Sequence, residues 1–126
     1  MSTQISGVPA LVAAFAVMAL TGLLLSRTAP TYGTALLTVH KLAALVVIAA
    51  LVIRVRAAHL DAGLPAGGWA VAVVAGLLLI AAIATGGLLS ALDHAPALVA
   101  VAHRFLPVGA VALVAATVVL VPLPAR

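Results

Sequence analysis

The sequence predicts an all-α, transmembrane four-helix up-down bundle built from two repeated helical hairpins, and three observations carry that prediction. The 126 residues are 67% hydrophobic and only 6% charged, with a mean hydropathy of +1.42. In water such a chain would expose apolar surface far beyond what a soluble domain tolerates. The apolar residues also fall into four segments, each long enough to cross a hydrocarbon core at about 1.5 Å per residue. Lastly, Thr-Gly and His-basic pairs recur at a nearly constant offset along the chain.

Taken in order, the first span is expected over about residues 9–26 and reads as a retained helix, because no Lys or Arg precedes it as a signal peptide would require. The second runs over about 34–53, where Arg54 and Arg56 stop the apolar run. The third starts at Trp69 and ends near residue 92, and the fourth covers about 96–121, closed by the Pro122-Leu123-Pro124 tail. Backbone groups in lipid need internal partners, so helices are expected, and the alternation of a membrane barrel is absent. The loops 27–33 and 93–95 are short, which favours antiparallel neighbours within a single domain 1–126. The longest loop, 54–68, holds Arg54, Arg56, His59, Asp61 and a Gly-Leu-Pro-Ala-Gly-Gly turn.

Charge is sparse and scattered. Six Lys/Arg against two Asp/Glu give a net +4, yet no basic cluster with interleaved aromatics points to nucleic acid. Cysteine is absent, which excludes disulfides, thiol catalysis and Cys-ligated metals. Asp61 and Asp93 are the only acids and both fall in loops, so no carboxylate pair lines a core for hydrolysis or proton transfer. Sparse buried charge also disfavours a small transporter. Counting positive charge near helix ends sets Arg54, Arg56 and Arg126 against Arg27, or against Arg27, Lys41 and Arg104 if the helix-borne charges count, and leans towards cytoplasmic termini.

The repeat carries the chemistry. Helix one ends Thr21-Gly22-Leu23-Leu24-Leu25-Ser26 and helix three ends Thr85-Gly86-Gly87-Leu88-Leu89-Ser90, an offset of 64. His40-Lys41 then opens helix two and His103-Arg104 opens helix four at an offset of 63, so one residue is lost in the shorter loop. In an up-down bundle these positions share one layer near one membrane face. Two imidazoles facing each other there would clamp a flat metalloporphyrin from both sides, as axial ligands His40 and His103 to a haem iron. Gly22 and Gly86 would allow close approach of the macrocycle edge, and Lys41 and Arg104 would meet its propionates. Thr21 and Thr85 either support the second ring nitrogen or bond back to their own helix. Pro107 cannot donate to the carbonyl of His103, so helix four is loosened there. His59 is expected in solvent, His94 in a capping Asp93-His94 turn, and Met18 in packing. Fourteen residues beyond His40 and His103 stand Arg54 and Thr117, neither a haem ligand, so one haem b is the most the chain should hold.

With those residues in hand, the stretch His40-Lys41-Leu42-Ala43-Ala44 through Arg54-Val55-Arg56 resembles bacterial cytochrome b561-type proteins. The duplicated hairpins with His-basic starts are also similar to one half of a haem A synthase. Both belong to the membrane four-helix cytochrome b group, and the resemblance implies bis-His haem b in a bacterial inner (cytoplasmic) membrane. The expected role is electron transfer as a subunit of a larger membrane complex, since one haem near one face needs a quinone or other redox partner to move charge across about 30 Å of hydrocarbon. A non-redox accessory subunit and a chlorophyll-binding subunit with His on magnesium are the alternatives.

Overall fold

The computed structural model describes residues 7–29 and 31–120. Among them the chain is all-α, with four long helices: α1 Gly7–Thr28, α2 Thr34–Ala62, α3 Ala66–Ala91 and α4 Ala97–Leu120. All four are long and apolar enough to cross a membrane. Their large side chains point outward: Leu98 is 77% exposed, and Ile53, Leu60 and Phe105 are exposed too. Many of the buried positions are instead alanines, including Ala75 and Ala110. That inversion is the signature of helices solvated by hydrocarbon, where small residues let backbones approach and large ones face lipid tails. The protein is an integral membrane protein.

The chain divides into two compact units, one holding α1 and α2 up to Ala50, the other running from Leu51 through α4. In the second unit α3 and α4 pack as an antiparallel hairpin. Thr85 lies beside His103 near one end, and further along a Cβ on Gly109 would meet the Leu78 side chain at 3.4 Å. The seam on α3 is Gly68, Ala72, Ala75, Leu79 and Ala82, a four-three alternation that Gly86 continues. On α4 the buried Ala110, Val114 and Thr117 repeat that spacing, and Pro107 and His103 extend it towards the start of the helix. Spacing of this kind keeps one stripe of a helix against its neighbour at a shallow crossing angle. In the first unit Leu11, Met18, Thr21 and Leu25 form the buried stripe of α1, and Ala43 and Val47 that of α2.

Two boundaries differ from the sequence expectation. The second helix does not stop at Arg54; it continues through Arg56 and His59 to Ala62, and the third begins at Ala66 rather than Trp69. The expected loop 54–68 therefore shrinks to three residues, 63–65. Arginine and alanine are good helix formers, so charge ends the apolar run without ending the helix. What ends it is Gly63, the one described residue with a left-handed backbone, at φ 71°. Its N–H donates to the carbonyl of His59 at 3.0 Å, and Pro65 then precedes α3. At the other ends the differences are small: α1 spans 7–28 against the expected 9–26, and α4 spans 97–120 against 96–121. The Pro122-Leu123-Pro124 tail and Arg126 lie outside the described residues.

Candidate functional site

His40 and His103 occupy equivalent places, each six residues after the first residue of its helix, Thr34 or Ala97. Each reaches back to the last three turns of the helix before it. In the first unit, Nδ1 of His40 lies 2.9 Å from the backbone oxygen of Met18 and 3.1 Å from Oγ1 of Thr21. In the second, Nδ1 of His103 lies 2.9 Å from the backbone oxygen of Ala82 and 3.1 Å from Oγ1 of Thr85. A backbone carbonyl only accepts, so the proton is on Nδ1 in both rings. The lone pair of the neutral ring then belongs to Nε2.

The threonines play both roles that the sequence leaves open. The Thr21 hydroxyl donates to the Val17 carbonyl at 2.6 Å, with the Met18 oxygen at 3.2 Å. Thr85 does the same towards Ala81 at 2.8 Å and Ala82 at 3.0 Å. With its one proton committed to the helix, each hydroxyl oxygen presents a lone pair to the Nδ1–H, which is shared between that oxygen and the carbonyl. A helix carbonyl, a hydroxyl and an imidazole thus form one polarised chain inside a span where no water competes.

The glycines make the approach geometrically feasible. A Cβ on Gly22 would sit 3.0 Å from Cε1 of His40 and 3.5 Å from its Nδ1. On Gly86 it would sit 2.7 Å from Cε1 of His103 and 3.3 Å from both ring nitrogens. The space beside each glycine is taken by the imidazole ring itself, so the close approach there is that of a histidine to a helix backbone.

The remaining candidates lie outside these hydrogen-bonded contacts. Lys41 and Arg104 follow their histidines on the exposed sides of α2 and α4. Ser26 and Ser90 donate to carbonyls of their own helices, Leu23 at 2.7 Å and Gly87 at 3.0 Å. Arg54 is half-buried, and Thr117 is fully buried with its hydroxyl on the Leu113 carbonyl at 2.8 Å. Met18 packs, as expected, but also supplies the carbonyl that holds His40. His94 is exposed in the Asp93-His94 turn. His59 is exposed on the last turns of α2 rather than in a loop; its Nδ1 accepts the Leu64 N–H at 3.4 Å, and its ring meets Trp69 edge-on with centroids 5.3 Å apart.

The carbonyls of Met18 and Ala82 are the part of the site that side-chain motifs miss. Their signal was present: residues 18 and 82 stand at the same offset of 64 as the threonines three positions later. Among the described residues no three or more His, Cys, Asp or Glu converge as a metal cage. No protein-family model, curated protein or solved structure matches the chain.

Proposed function

We propose that this chain is a membrane cytochrome b-type subunit that takes one haem b, with His40 and His103 as axial ligands through Nε2, and carries electrons within a larger membrane complex. The observation that carries this reading is the pair of anchored imidazoles, each with Nδ1–H held by a carbonyl and a threonine oxygen of the preceding helix. Histidines that ligate metal characteristically donate their other ring N–H in this way, which fixes the tautomer and raises the basicity of the ligating nitrogen. Single nitrogen donors on separate helices suit a metal whose other positions are filled by a macrocycle. The likeness of the His40–Arg56 stretch to cytochrome b561-type proteins favours the same cofactor.

When bound, haem supplies one-electron cycling between ferric and ferrous iron. The protein's part would be to present two oriented imidazoles and to exclude water with an apolar span, and the exposed Lys41 and Arg104 would be the cations available to the propionates. Donor and acceptor belong to partner subunits or to a quinone, and the bacterial cytoplasmic membrane with both termini inside is the setting proposed.

The test is a reduced-minus-oxidised spectrum of the protein purified from haem-sufficient cells. A b-type band with low-spin, six-coordinate character, lost in His40→Ala and in His103→Ala, is the expected result. A colourless wild type would overturn the proposal and leave a non-redox accessory subunit. Magnesium with chlorophyll-type red absorption would replace haem with the alternative tetrapyrrole.

A further inference from the structure

The chain holds three histidines whose ring nitrogens have defined partners, and the geometry sorts them into two classes. His40 and His103 point Nδ1 at a carbonyl oxygen, so in the neutral ring Nδ1 is protonated and Nε2 carries the lone pair. His59 receives the Leu64 N–H on Nδ1, so in the neutral ring Nδ1 carries the lone pair and Nε2 the proton. We infer that Thr21 and Thr85, together with the carbonyls of Met18 and Ala82, form a duplicated tautomer-setting device that fixes which nitrogen each membrane histidine offers and how its ring is turned. The threonines are positioning residues, acting on a bound group only through the imidazoles.

Three features support this. Neutral histidine in water prefers the proton on Nε2, so a protein that needs Nε2 as donor must impose the other form. A carbonyl imposes it outright, and the hydroxyl oxygen at 3.1 Å gives the same N–H a second acceptor in each unit. Two acceptors on different atoms restrict rotation of the ring about its own axis, which one alone would leave broad. The hydroxyl is itself oriented, because its proton goes to the Val17 or Ala81 carbonyl. Gly22 and Gly86 complete the device by leaving room for the Cε1 edge against the helix.

The inference deepens the haem proposal, but its first test is independent of haem. In 15N-histidine spectra of the full-length, haem-free protein in nanodiscs, above the titration range, His40 and His103 should show protonated Nδ1. His59 should show protonated Nε2. Thr21→Val and Thr85→Val keep the shape and remove the oxygen. Each should broaden or split the resonances of its own histidine while leaving the other unchanged, and Thr→Ser should restore them. After loading with haemin, the valine variants should bind about ten- to a hundredfold more weakly and show a raised midpoint potential, because a less polarised Nδ1–H makes Nε2 a poorer donor to ferric iron. Protonated Nε2 in His40 or His103, or valine variants with unaltered ring resonances, would overturn the inference. Correct tautomers in a protein that takes up no haemin would sustain the inference and overturn the haem reading alone.

Discussion

The two units hold their histidines with the same pair of distances, 2.9 Å to a carbonyl and 3.1 Å to a threonine, yet their surroundings differ. Beside His103 a Cβ on Gly86 would approach to 2.7 Å, whereas beside His40 one on Gly22 would reach only 3.0 Å. Four residues beyond His103 stands Pro107, inside α4, whereas Ala44 stands four beyond His40. The His103 carbonyl therefore lacks its ordinary helical donor, and the His40 carbonyl has one. The hydrogen-bonding chemistry is matched while the fit around it is not. The polar contacts are thus the element both units share, with the packing free to drift.

Substitution tests that comparison, beginning where the effect is largest. His40→Ala and His103→Ala should each remove the proposed haem band in the purified protein. If one variant retained a full six-coordinate spectrum, the two histidines would not be equivalent ligands. Gly86→Ala comes next: the ring must swing away, losing bonds worth about 1–2 kcal/mol. By haemin titration that is roughly a five- to thirtyfold loss of affinity. Gly22→Ala should cost less, because its contact is near the limit that a small shift relieves; equal losses would erase the difference between the units. Gly63→Ala lies far along α2 from His40 and serves as a contrast. At φ 71° it should cost about 1 kcal/mol of thermal stability in micelles without touching the haem spectrum. The smallest change is expected for Lys41→Gln and Arg104→Gln, both on exposed residues, with affinity shifts below about 1 kcal/mol that shrink further in high salt.

Much of this was legible in the residues. The four spans follow from composition, and the repeat, at offsets of 64 for the threonines and 63 for the histidines, singles out Thr21 with His40 and Thr85 with His103. Three things were not legible, each for a physical reason. The end of α2 was read from charge, but a helix emerging from lipid continues until its backbone is turned, here at Gly63. The glycines were assigned to a macrocycle edge because a sequence shows that room is needed, not what fills it. The carbonyls of Met18 and Ala82 were invisible because every residue has one, and only the fold selects which of them meets a ring nitrogen.

The length of α2 has a practical consequence. Its 29 residues rise roughly 44 Å, well beyond a hydrocarbon core of about 30 Å. The turns carrying Arg56, His59 and Asp61 therefore extend out of the lipid as a rigid post rather than a slack loop. Because the chain has no cysteine, a single thiol introduced at the exposed Asp61 would be a unique chemical address on that post. A membrane-impermeant maleimide applied to sealed vesicles of known sidedness would then report directly which compartment the α2–α3 turn faces.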